Sequence, residues 1–252
     1  MQNDASFTKI HYNDSVTLII KELKMALYDR NYTGVDVGAV AQARDSALVN
    51  FVKTTYKFFG ASLLIATIGA LVGFMNFEMV VQNRMVIFIA EIAALFGLMF
   101  SRSKPGLNIA MLFVFTFLTG LAITPLLGFV LMVNGSAGVV SAFAMTTIIF
   151  GVMSIYGIKT KRDLASMGKM LFISLIVVMV CSIVIFVMDM GFQAIIAGAA
   201  AILFSMYVAY DTQNIIRGLY SSPVDAAISL YLDFYNIFVS LLQIFGILGN
   251  RD

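Results

Sequence analysis

The stretch that decides the fold runs from Ala226 to Ile247, AAISLYLDFYNIFVSLLQIFGI. It is long enough to cross the ~30 Å hydrocarbon layer of a bilayer as a helix rising about 1.5 Å per residue. Within it, Ser229, Asp233, Asn236, Ser240 and Gln243 recur at spacings of 4, 3, 4 and 3. At about 100° per residue they form one narrow polar stripe. The remaining faces carry Leu, Ile, Phe and two tyrosines. A helix of this kind has no favourable place at the lipid edge with its stripe exposed, so it is expected to stand against or inside other helices.

The chain supplies them. Six more apolar runs lie upstream, at about 57–76, 84–101, 106–130, 135–157, 168–188 and 192–212, with the quoted stretch as the seventh at about 227–248. The breaks are short and polar: Gln82 to Arg84, Arg102 to Pro105, Asn134-Gly135, Lys159 to Asp163, Asp189, and Arg217 to Asp225. Of the 252 residues 60% are hydrophobic and 12% charged, against about 25% charged in a soluble domain. The expected fold is therefore an all-α membrane protein of seven transmembrane helices in the lipid bilayer, over 57–248. A net charge of +2, scattered over loops, excludes a nucleic-acid face.

Residues 1–56 read differently. Their mixed charges and short apolar patches describe an N-terminal tail, within which Ser15–Tyr28 has the pattern of one amphipathic helix. The first 20 residues show no removable signal peptide. Orientation follows from the basic residues, which concentrate on the cytoplasmic side. With the tail inside, Lys53, Lys57, Arg102, Lys104, Lys159, Lys161, Arg162, Lys169 and Arg217 are inner, and only Arg84 and Arg251 are outer. The C-terminus then lies outside unless the seventh segment is re-entrant. The single cysteine, Cys181, sits in an apolar run as a packing residue, and the single histidine, His11, lies in the tail. Neither a disulfide framework nor a Cys/His metal site follows.

An ionisable side chain at mid-span costs ~2.5–3.5 kcal/mol on insertion scales, so each one asks for a reason. Three carboxylates qualify: Glu91 in the second segment, Asp211 at the cytoplasmic end of the sixth, and Asp233 about two turns into the seventh. Tyr207, Asp211 and Asn214 repeat the 4, 3 spacing, which places Asp211 on a polar face at the depth of Asp233 across a helical hairpin. Glu91 and Arg102 are eleven residues apart, on one face and roughly 16 Å apart along the axis. Two aspartates and an arginine are thus expected at one depth on the cytoplasmic side. A close carboxylate pair in low dielectric retains one proton, which an adjacent guanidinium opposes. That balance suits either a pH-sensitive latch or a hard-oxygen site at Asp211 and Asp233 that exchanges protons for Ca²⁺.

At these residues the sequence resembles the Bax inhibitor-1 family of membrane proteins in its bacterial form. The strings that carry the likeness are Tyr207-Val-Ala-Tyr-Asp211-Thr-Gln and Ser229-Leu-Tyr-Leu-Asp233-Phe-Tyr-Asn236-Ile-Phe, with Thr119-Gly-Leu-Ala-Ile-Thr-Pro125 and the Glu91 to Arg102 spacing in support. The resemblance implies six helices around a central seventh and a pH-sensitive calcium leak in the bacterial inner membrane. It also implies that Asp211 and Asp233 are the paired aspartates, Arg102 their arginine partner and Glu91 the pore-region glutamate. For relatives with similar tails it implies a link to the membrane-bound AAA protease FtsH.

The functional expectation is a cation (Ca²⁺) leak channel gated by protonation of Asp211 and Asp233 with Arg102. Glu91, Ser229, Asn236, Ser240 and Gln243 are expected along the ion pathway. The rival expectation is a regulator that binds FtsH or another membrane complex through the tail and conducts nothing. No HExxH, GxSxG, P-loop or dinucleotide fingerprint is present, so no enzyme is expected, and no cofactor beyond Ca²⁺ as a bound or transported ion.

Overall fold

Alanine, isoleucine, leucine, valine and phenylalanine dominate the chain from residue 37 onward, and in apolar runs of this length the backbone meets its own hydrogen-bonding needs as helix after helix. The computed structural model describes residues 21–22, 37–188 and 192–249. Of the Ser15–Tyr28 stretch only Lys21 and Glu22 fall among these; Asp189 and Arg251 lie outside them. Two units are distinguished, Met1–Asn50 and Phe51–Asp252. In the first, the described residues from 37 are helical and almost wholly exposed.

The helices are α1 (Val37–Met75), α2 (Phe77–Gln82), α3 (Arg84–Phe100), α4 (Pro105–Lys159), α5 (Gly168–Met188), α6 (Gln193–Ile216) and α7 (Pro223–Gly249). A short 3-10 turn, Leu164–Met167, precedes α5. Helix α1 begins well before the apolar run at 57, within what the sequence suggests is tail. Its first turns, VGAVAQARDSALVN, are rich in alanine and, after Gly38, continue into the apolar run with no further glycine or proline to stop them.

Among the described residues five helices are long and apolar enough to cross a membrane, so the chain is a multi-pass membrane protein. The seven expected segments map onto fewer elements for two reasons. Helix α3, with 17 residues, falls just short of spanning length. Helix α4 runs for 55 residues and holds two of the expected segments in one element, broken at Gly135, whose φ of 65° is non-helical. An L side chain at that φ is strained, and glycine is not. Pro125 adds a second weak point, since it offers no N–H to the Leu121 carbonyl.

Helix α7 is the interior element. It packs chiefly on α4 and α6, and Ala226, Ala227, Leu230, Tyr231, Ile237 and Leu242 are fully buried. Those positions occupy one arc of the helix, and the buried Asp225, Ile228, Asp233 and Ser240 occupy the other sides, so most of its circumference is covered. Around Phe234 the rings of Phe59, Phe143 and Phe150 close in, at 6.0, 5.9 and 5.7 Å between centroids. Between α1 and α4 the backbones touch through Gly120, where a methyl group would strike the Ala66 carbonyl.

Candidate functional site

The hairpin of α6 and α7 is closed by a tight turn. Arg217 caps α6, Gly218 follows at φ 67°, and two bonds run back, Gly218 N–H to the Ile215 carbonyl at 3.0 Å and Leu219 N–H to the Asn214 carbonyl at 2.9 Å. This is the Schellman arrangement, which needs a left-handed residue at the Gly218 position. Ser222 then caps α7, its hydroxyl accepting the Asp225 N–H at 3.0 Å, with Pro223 at the first helical position. A connection this short sets the register of the two helices.

That register brings Asp211 and Asp233 together. Both are buried, 6% and 3% exposed, and their carboxyls are hydrogen-bonded to each other. Two carboxyls make such a bond only when one carries a proton to donate. The Tyr220 hydroxyl interacts with Asp211 and with Ser229, and Asp233 Oδ2 is enclosed without a donor. Burial pushes the Tyr220 hydroxyl up from its usual range, with the Asp211 charge adding to it.

Arg102 does not join them. Its Nε lies 3.3 Å from Asp225 Oδ1, and its side chain is 58% exposed. The sequence expectation placed the guanidinium with the aspartate pair. Asp225 is in the first turn of α7, whereas Asp233 is eight residues, roughly 12 Å, deeper. Arg102 follows the end of α3 at the water edge, where Asp225 is the nearer partner and a charge costs least to hold. Asp225 also accepts Ser221 Oγ–H at 2.9 Å.

The polar stripe is not uniform either. Ser229 donates to the Asp225 carbonyl at 3.2 Å and Asn236 to the Leu232 carbonyl at 2.7 Å, so both are satisfied by their own helix. Ser240 is buried, but Gln243 is exposed. It lines an open cleft of about 500 Å³ with Leu126, Phe129, Ile183, Gln193 and Ile196. The expectation that the whole stripe is shielded fails at this end.

Glu91 is half-buried and acts electrostatically on Tyr231 and Tyr235. These stand about 160° around α7 from Asp233 on either side. Thr119 of α4 bonds both rings: its hydroxyl meets the Tyr231 hydroxyl, and its carbonyl accepts from Tyr235 at 3.2 Å. Among the described residues no three His, Cys, Asp or Glu side chains gather as a metal site would require.

Five contributing residues were missed in the sequence. Tyr220 and the Tyr231/Tyr235 pair count as apolar in any hydropathy pattern. Gln213 has partners 49 and 51 residues away, the Leu164 N–H at 2.8 Å and the Arg162 carbonyl at 2.9 Å. Asp225 alone carried a readable signal, the Ser-Pro-x-Asp start of a helix.

The family model for the inhibitor of apoptosis-promoting Bax1 matches residues 48–250. The chain belongs to the Bax inhibitor-1 family. A Helicobacter pylori protein is 62% identical over 229 residues, covering 90% of this chain and all of that protein. A Vibrio cholerae membrane protein is 34% identical over 79% of this chain and 90% of its own length. The Escherichia coli inner membrane protein YbhL is 32% identical over 67% of this chain and 78% of its own length. The strings Tyr207–Gln213 and Ser229–Phe238, which carry the resemblance, both lie inside the matched region of this Bax inhibitor-1 member.

Proposed function

We propose that this protein is a pH-sensitive cation leak of the bacterial inner membrane, gated by the proton shared between Asp211 and Asp233. The reading takes the chain as seven spans with α7 central, the two halves of α4 counted separately, and the N-terminus cytoplasmic on the strength of its basic loops. Membership of the family and the inner-membrane relative support the setting.

The observation that carries the reading is the carboxyl–carboxyl bond between α6 and α7. While one proton is held, the bond ties the two helices together. When it leaves, two negative charges face each other in a site of low dielectric, and the helices gain by separating. A cation relieves the same repulsion. Two carboxylates with the Tyr220 and Ser229 hydroxyls give Ca²⁺ some of the 6–8 oxygens it takes, with water completing the set, so Ca²⁺ is cargo in transit here.

The test is Ca²⁺ flux into liposomes holding the purified chain, between roughly pH 6 and 8. Wild-type flux is expected to change with pH. Asp211→Asn and Asp233→Asn replace the shared proton by amide hydrogens that no pH in this range removes, so both profiles should be flat. Unchanged rate and profile in both variants reject the gate.

A second reading has its own support in the exposed, charged start of α1, where Gln42, Arg44 and Asp45 are all open to solvent. A pore needs no such extension, and a regulator that docks on FtsH or another membrane complex does. Deleting residues 1–50 separates the two, because lost pull-down with intact flux assigns the tail to a partner.

A further inference from the structure

We propose that the loop joining α4 to α5 is a fixed docking surface for the headgroup phosphates of anionic lipids, presented through Lys159, Lys161, Arg162 and Lys169. Residues 156–170, YGIKTKRDLASMGKM, carry these four cations and one acid, Asp163. Arg217 of α6 takes that acid in an ion pair. Among the described residues none of the four cations has a carboxylate partner, and all four are exposed. Helix α6 therefore cancels the only negative charge of the loop and leaves its positive field unopposed.

The loop is also held in place. Gln213 accepts the Leu164 N–H at 2.8 Å and donates to the Arg162 carbonyl at 2.9 Å. Gly157 lies so close to α6 that a methyl group there would strike the Ala209 carbonyl, and one at Gly168 would strike the Tyr210 hydroxyl. Asp163 accepts the Ala165 N–H at 3.1 Å and so caps the 3-10 turn. Cations on a pinned backbone lose less entropy when a partner binds than cations on a free chain.

The flanking residues identify the partner as lipid rather than a soluble anion. Helices α4 and α5 are both of spanning length and composition, so the loop between them lies at a membrane surface. Next to Lys159 stands Ile158, and next to Lys169 stands Met170; both are exposed and apolar, as is the ring of Tyr156 one turn before. Apolar side chains at the level of the acyl tails set the neighbouring ammonium groups at the level of the phosphates. Lys169 is the second residue of α5, where a positive charge opposes the helix dipole, so its charge serves something outside the helix.

The inference uses the membrane setting and not the leak reading, and lipid retention is measured without flux. Full-length protein in detergent micelles is titrated with phosphatidylglycerol or with phosphatidylcholine of the same acyl chains, and bound lipid is counted by native mass spectrometry. Phosphatidylglycerol should be retained at a concentration at least about tenfold lower than phosphatidylcholine, and raising the ammonium acetate should narrow the gap. Lys159→Gln/Lys161→Gln/Arg162→Gln/Lys169→Gln should bring the two lipids within about twofold of each other. Asp163→Asn, which frees Arg217 to the patch, should widen the gap. Gln213→Leu keeps every charge and loosens the loop, so it should narrow the gap in part. Glycerol 3-phosphate, an anion without tails, should leave bound phosphatidylglycerol in place. If the fourfold variant fails to fold, Lys159→Gln/Lys161→Gln and Lys169→Gln carry the same test, each losing part of the preference. Equal retention of the two lipids by the wild type, a preference that survives loss of the cations, or an unmoved gap in Gln213→Leu overturns the proposal. Displacement by glycerol 3-phosphate overturns it too, and gives the surface to a soluble phosphate.

Discussion

Tyr231 and Asp233, two residues apart, face opposite sides of α7: the first bonds Thr119 of α4, the second Asp211 of α6. One helix thus carries, at one depth, a hydroxyl contact to α4 on one side and a carboxyl contact to α6 on the other.

The turn that sets the hairpin register depends on Gly218. Gly218→Ala is expected to destabilise the protein by about 1–2 kcal/mol, the cost of a left-handed non-glycine residue, and Gly218→Asn by less. Thermal unfolding in detergent, compared among the three proteins, checks the order.

Arg102 and Asp225 should differ although they are partners. Arg102 is mostly exposed, so Arg102→Gln is expected to cost under about 1 kcal/mol and to leave the pH profile of flux in place. Asp225 is buried, accepts Ser221, and sits in the first turn of α7, where a negative charge meets the helix dipole. Asp225→Asn should be the more destabilising of the two. A flattened pH profile in Arg102→Gln would return the arginine to the gate.

Gln213 clamps a loop that belongs to another part of the chain. Gln213→Leu leaves the Leu164 N–H and the Arg162 carbonyl without their partner, at about 1–3 kcal/mol for each group that stays buried. Hydrogen exchange over residues 160–167 should speed up, while the core of α7 stays protected.

On the same loop, Arg217 holds the Asp163 carboxyl below the usual carboxylate range, helped by the Ala165 N–H. Its pKa is lowered by folding, so its contribution is complete at neutral pH and disappears as pH falls through the lowered value. The pair is solvent-exposed, so salt should weaken it as well. Arg217→Gln should remove both dependences from the rate at which protease nicks the loop.

The apolar runs and their breaks were legible because bilayer thickness dictates run length, and even the Gly135 interruption was visible as Asn134-Gly135. Asp211 and Asp233 were placed together by two features a sequence states openly, helical period and a short connection. The partner of Arg102 was not legible, since a long side chain at a helix end chooses among acids within its reach by access to water. Nor was the Thr119 arrangement, because it depends on where hydroxyl protons point. The start of α1 was missed because an alanine-rich polar helix has the composition of a solvated tail.

Helix α7 follows all the others in the chain and is the least apolar of the five of spanning length. During synthesis it reaches the membrane when its neighbours are already there. Its acidic and hydroxyl groups enter not bare lipid but a vacant slot lined by helices made earlier, with Asp211 and Thr119 waiting as its first contacts. A nascent chain stopped before residue 223 would leave Asp211 and Thr119 without the partners that α7 brings to them.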